Sequence, residues 1–264
     1  MHLDEKEREA IDIHNQKWIL EYCRSADCPL AVQSTSIFLY KKVMKKRNVE
    51  DLHIKLFLLA IILLACKCEN TTCNLNALFG SMSSKDKEKV IAYEQKLAET
   101  INFNFHIPSP YTRILGYLIL LQEKRRIKVL KGQVDPHNLN FEDIDLNELL
   151  EEECENKEGI YIVPDINKLW NKSVLLLDRI FLSIDVENIH VNIYSLAAVN
   201  LPLRIIDKLI ENVDINDVKC VRTKIKGYKE PSKEFTEKVL CKLLEFRKQS
   251  DENEELCNNN EPKL

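Results

Sequence analysis

Cys66, Cys68 and Cys73 stand within eight residues of one another, close enough to raise metal binding. Their spacing is C-x-C-x4-C. Neither a second C-x2-C pair nor an H-x3-H pair completes a tetrahedral zinc set, so no metal is expected. His14, His53, His106, His137 and His190 are scattered and fall at neither ligand nor triad spacing. The chain has no phosphate-binding glycine loop, dinucleotide-binding glycine pattern, G-x-S-x-G or H-E-x-x-H. Nothing therefore supports a catalytic residue or a cofactor. Lys67 stands out instead. It follows eleven residues, Leu56–Cys66 or "LFLLAIILLAC", that carry no strongly polar side chain. An ammonium at the end of a buried segment offers three N–H donors from a rigid base, which is chemistry for binding.

The elements that must position Lys67 follow from the same run. A spanning helix needs about twenty apolar residues, and a run of 10–14 is more often a core helix. Lys55 and Lys67 close this one at both ends. A helix apolar on every side must be enclosed by other helices. The rest of the chain supplies them. Helical spacing predicts segments at Glu7–Arg24, from Pro29 through Met44, a short Asn74–Phe79, Ser84 to about Asn102, and Tyr111 to about Arg126. Asn48 and Asp51 offer caps for the buried helix. Further segments are expected at Asp165–Leu182, Val186–Asn200, Leu203–Asn212, Ile215–Lys226 and Pro231 to about Lys248. Two prolines in "FNFHIPSPY" mark a boundary. Five glycines and eight prolines among 264 residues also point to an all-α chain.

Charge is unevenly spread. Residues 133–158 hold ten acidic residues and one lysine, and residues 250–264 hold five and one. Removing these −9 and −4 from the net −4 leaves a body at +9. Residues 127–163 read as an irregular acidic insert with one weak helix near Phe141–Glu152, and the tail as disordered. Lys41, Lys42, Lys45 and Lys46 read as a solvated face; "EKRRIKVLK", Glu123–Lys131, as a partner for the insert or for phosphate. The first ten residues carry no apolar signal region, so reduced thiols inside the cell are expected.

Five helices, a break, five helices and one more is the layout of the cyclin fold. The residues agree. "LLACKCE" (Leu63–Glu69) resembles the cyclin-box signature in which the central helix ends in Ala-x-Lys before acidic residues. "YEQKLAETINFNF" (Tyr93–Phe105) resembles the fifth helix of the box, with Glu94 nine residues before Phe103. "SPYTRILGYLI" (Ser109–Ile119) and "GYKEPSKEFTEKVLCKLLEFR" (Gly227–Arg247) resemble the start of the second repeat and the C-terminal segment of the cyclin H type. Cys68 and Asn70 depart from the family pattern beside the signature.

The resemblance implies a cyclin box at 7–106, a second repeat at 107–228 carrying the insert, a helix at 229–249 and a tail at 250–264. It implies a nuclear, non-catalytic regulatory subunit that binds and activates a cyclin-dependent kinase. Lys67 and Glu94 would hold the kinase backbone, with Leu64, Glu69, Phe103 and Phe105 lining the same surface. The implied assembly is a CDK-activating kinase with a RING-containing assembly factor and TFIIH, acting on CDKs and the RNA polymerase II C-terminal repeats. A cyclin C-like Mediator kinase subunit and a TFIIB-like DNA-binding scaffold are the alternatives. Nucleic-acid contact is expected to be weak or absent, and no membrane is implied.

Overall fold

A computed structural model describes residues 3–46, 53–71, 79–80, 82–136, 139–141, 144, 160–207, 209 and 213–245. The expected caps at Asn48 and Asp51 lie outside the described residues. So do most of the expected helices at Asn74–Phe79 and Phe141–Glu152, and the tail.

Helix α1 (Glu5–Ser25) starts where the sequence reads D-x-x-E. Asp4 accepts from the Glu7 N–H at 2.7 Å, and Glu7 accepts from the Asp4 N–H at 2.9 Å. This reciprocal cap satisfies two orphan donors. Helix α2 (Leu30–Met44) follows Pro29, and α3 (Ile54–Cys68) is buried continuously from Phe57 to Cys66. Helix α4 (Ser84–Thr100) is capped by Ser83, which accepts from Asp86 N–H at 3.2 Å. The cap is thus one residue earlier than Ser84, and Asp86 occupies the third position expected of an acidic partner. Helices α1, α2 and α4 pack around α3.

A second bundle repeats this plan around a shorter centre. Helix α5 (Pro110–Glu123) starts with the proline of "SPY" in its first turn, where a missing N–H costs nothing. Helices α6 (Ile166–Ser183) and α9 (Ile215–Gly227) join it around α7 (Val191–Ala198). The continuous helix expected over Val186–Asn200 is broken. Asp185 caps a 3-10 turn, Val186–Asn188, and His190 caps α7 by accepting from Asn192 N–H at 3.3 Å. Helix α8 is only Leu203–Ile206. Residues 233–245 form the last helix, α10, whose Val239 and Leu243 pack on Leu3 and Ile11.

The irregular insert expected at 127–163 is corrected at both ends. Strands β1 (Ile127–Val129) and β2 (Tyr161–Val163) pair in parallel, with Ile127 opposite Tyr161 and Val129 opposite Val163. Ile127, Tyr161 and Val163 enter the core, while Lys128 and Ile162 face outward. The "EKRRIKVLK" run therefore contributes a strand.

One hydrophobic core runs through both bundles. At their junction Arg24 pairs with Asp178, and the Tyr111 hydroxyl donates to Asp178 at 3.0 Å. The lysines of α2 are not a free solvated face. Lys41 donates to Ile184 O at 3.3 Å, and Lys45 reaches Asp185 at 2.8 Å and Glu187 at 2.5 Å. Lys42 and Lys46 donate to Asn104 O and Thr100 O, the end of α4. Cations near helix C-termini satisfy orphan carbonyls. Lys41 and Lys45 thus tie the two bundles together, while Lys42 and Lys46 tie α2 to the end of α4.

Five described cysteines are free, and Cys66 is disulfide-bonded, against the expectation of reduced thiols throughout. No helix among the described residues is long and apolar enough to cross a membrane, and none of their His, Cys, Asp and Glu side chains form a group of three or more able to hold a metal.

Candidate functional site: an ion pair at the end of the central helix

The end of α3 is built by a local cap. Asn70 lies in the left-handed region at φ +50, so its N–H reaches Lys67 O at 3.2 Å and the Thr71 N–H reaches Cys66 O at 2.9 Å. Asn tolerates that conformation better than other side-chain-bearing residues. The last carbonyls are thus satisfied by backbone, and Lys67 has no capping to do.

Its ammonium instead meets Glu94 of α4, 2.6 Å from Oε1 and 2.8 Å from Oε2. The Lys67 side chain is 60% exposed and that of Glu94 12%. A lysine carries three donors, so at least one N–H remains for another acceptor. An ion pair this open contributes only about 0–1 kcal/mol, and a partner can rearrange it at little cost.

The other four sequence-predicted residues divide. Glu69 is half-buried and accepts the Thr35 hydroxyl at 2.5 Å. Leu64, one turn before Lys67, is 5% exposed and belongs to the core behind the pair, so the expectation that it lines the surface needs correction. Every face of α3 is covered up to Cys66, which leaves no apolar edge outside. Phe103 is 64% exposed and Phe105 37%, with their rings edge-to-face at 6.2 Å. Asn102 and Phe103 both adopt φ +54, where the chain leaves α4. A phenylalanine held there costs of the order of 1–2 kcal/mol. Phe103 stands nine residues after Glu94 and three past the end of α4 at Thr100. The surface these residues would share therefore carries a charged pair and two exposed rings. It holds binding groups and no nucleophile–base arrangement.

Two structural residues escaped sequence reading although each left a signal. Arg222 and Asp178 interrupt apolar stripes, Val218–Arg222–Ile225 and Val174–Asp178–Phe181. Arg222 is 8% exposed and donates to Ala197 O at 3.1 Å, Leu201 O at 2.8 Å and Val199 O at 2.5 Å. It caps α7 from outside that helix.

Comparison with known proteins bears on the family and the fold. Residues 4–106 match the family model described as Cyclin, N-terminal domain. Cyclin-H of Xenopus laevis is 25% identical over 125 residues, covering 44% of this chain and 39% of that protein. Cyclin CCL1 of Saccharomyces cerevisiae is 24% identical over 131 residues, 50% of this chain and 32% of that protein. The matched stretch thus spans well under half of either relative. A chain of the yeast TFIIK complex superposes with a TM-score of 0.56 at 18% identity, covering 84% of this chain and 86% of that one. A chain of the CAK complex of Chaetomium thermophilum gives 0.63 at 12% identity, covering all of this chain and 83% of that one. At such identities the superpositions speak for the fold. Residues 4–106, with Lys67 and Glu94 in their third and last described helices, match a cyclin N-terminal domain within an all-α chain of cyclin-like fold that resembles cyclin H.

Proposed function

We propose that the chain is the regulatory cyclin subunit of a cyclin-dependent kinase, and that Lys67, Glu94, Phe103 and Phe105 form the kinase-facing surface with Glu69 at its edge. The observation that carries this reading is the exposed Lys67–Glu94 pair inside the matched cyclin domain. In the docked state the spare Lys67 N–H donates to carbonyl oxygens at the C-terminal end of a kinase helix, and Glu94 accepts backbone N–H groups. Hydrogen bonds with one charged partner are the stronger kind. Phe103 and Phe105 act as apolar anchors within a polar rim. Docking positions the kinase helix that carries the glutamate of the Lys–Glu pair required for phosphoryl transfer, and shifts the kinase population to its active form. The chain itself performs no chemistry.

The likeness to Cyclin-H and to chains of the TFIIK and CAK complexes supports a finer assignment. This is a CDK-activating kinase acting in the nucleus with a RING-containing assembly factor and TFIIH, on CDKs and the polymerase C-terminal repeats.

The test is co-purification from the cells of origin, comparing wild type with Lys67→Ala/Glu94→Ala and assaying bound kinase activity on polymerase-tail repeats. A kinase with TFIIH subunits, lost in the double variant, is the expected result. Mediator subunits in place of TFIIH would move the assignment to a cyclin C-like subunit. A folded variant that retains the kinase would refute the interface.

A further inference from the structure

Helix α1 ends in a left-handed cap whose side-chain consequence differs from every other helix end described. Asp27 lies at φ +51, its N–H bonds to Arg24 O at 3.2 Å, and the Cys28 N–H bonds to Cys23 O at 2.8 Å. This paired cap brings the third-last helical residue and the third residue beyond the helix against each other. At the ends of α3, α4 and α5 those two positions are Cys66 and Thr71, Ala98 and Phe103, and Leu121 and Arg126. At the end of α1 both are free cysteines.

The two thiols are not alike. Cys23 is fully buried, whereas Cys28 is half-exposed. Cys28 also lines a cavity of about 720 Å³ between the α1–α2 turn and the start of α5, with Arg24, Tyr111 and Trp170 in its walls. A hydrogen bond from the Cys23 thiol favours the Cys28 thiolate and holds that group below the usual thiol range, against burial and the neighbouring Asp27. The same bond, with burial, pushes Cys23 well up. A thiolate reached through an open cavity is the reactive form of cysteine.

We propose that Cys28 is a modification site for hydroperoxides and that Cys23 is its resolving partner. The Cys28 thiolate attacks the O–O bond and releases the peroxide's other oxygen as an alcohol, or as water from hydrogen peroxide. Cys28 becomes a sulfenic acid. The Cys23 sulfur then attacks the Cys28 sulfur and displaces hydroxide, which leaves as water with the Cys23 proton. The dithiol loses two electrons to form a disulfide and the peroxide gains them. A disulfide needs Cα atoms about 4.4–6.8 Å apart, a range compatible with the direct backbone bond between these residues.

The test uses the full-length wild-type chain and hydrogen peroxide. Trypsin cleaves after Arg24, between the two cysteines, so a linked peptide pair reports the bond by mass. The expected result is a Cys23–Cys28 linked pair that dithiothreitol reverses. At neutral pH, iodoacetamide should label Cys28 at least about threefold faster than the more exposed Cys220 and Cys241. In Cys23→Ala, peroxide should leave Cys28 as a dimedone-reactive sulfenic acid with no linked pair. Faster labelling of Cys220 and Cys241, or a wild-type chain that accumulates Cys28 sulfenic acid without linkage, would overturn the proposal. The wild-type measurement decides even where the variant folds poorly.

Discussion

The two bundles end their central helices in opposite ways. In the first, Asn70 caps α3 through the backbone and Lys67 is left to face solvent beside Glu94. In the second, α7 ends at Val199 without a left-handed residue, and the cation arrives from α9: Arg222 is buried against three carbonyls. Each bundle keeps a cation where its central helix and its last described helix meet. One spends it on its own fold and the other keeps it available. The difference lies in whether the cation is consumed by the fold or left exposed beside its carboxylate partner. A cap made locally by the chain frees the side chain that would otherwise have to make it.

The widest separation between the two should appear in stability. Arg222→Met leaves three buried carbonyls without their donor and should cost about 3 kcal/mol or more in urea unfolding. Lys67→Met, at a 60% exposed side chain, should stay within about 0.5 kcal/mol. Similar losses for both would erase the distinction. Next come the caps themselves. Arg125 holds a left-handed position at the end of α5, φ +53, with a side chain poorly suited to it. Arg125→Gly should raise stability by about 1 kcal/mol, and Asn70→Gly by less, because asparagine already tolerates the conformation. A loss in either would show that the side chain matters more than the backbone there. Ser83→Ala, which removes the acceptor for Asp86 N–H, should cost about 1 kcal/mol without altering the Lys67–Glu94 pair farther along α4.

The smallest expected effect concerns the joint between bundles. Burial works to raise the Asp185 carboxyl, but hydrogen bonds from Lys45 and from Glu187 N–H, with the charge of Lys45, outweigh it and leave it below the usual carboxylate range. A carboxyl lowered on folding adds stability that is complete above its unfolded value and fades as pH falls through the folded one. The contribution should therefore begin to fade near pH 4 and vanish only below the lowered folded value. Lys45→Ala should flatten that part of the acid unfolding curve and leave the neutral region nearly unchanged.

Much of the first bundle was legible in the residues. Eleven apolar positions bounded by lysines define α3, and the spacing of Glu94 and Phe103 places them on α4 and just beyond its end. Burial of Leu64 was less legible, since a helix covered on every side gives no periodic clue to which face lies nearest the outside. The β1–β2 pair escaped because each strand has three residues and the partners are far apart in the chain. Arg222 and Asp178 were visible as charges within apolar stripes, but their meaning depends on carbonyls and cations brought in by other helices. The lysines of α2 looked solvated for the same reason: Ile184, Asp185 and Asn104 approach them only in the folded chain.

The parallel β1–β2 pair has a consequence for how this chain tolerates change. It fixes both ends of the segment from Leu130 to Ile160 against the core, with Tyr161 N–H bonded to Arg126 O and Leu130 N–H to Val163 O, each at 3.0 Å. Where two ends of a chain segment are held together in this way, each doubling of an unstructured connection costs only about 0.6 kcal/mol in closure entropy. The pair thus acts as a socket. Residues added between the strands should therefore leave the helices on either side in place, provided the bonds of Asp135 N–H to Asn167 and of Asn171 to Asn140 O are kept.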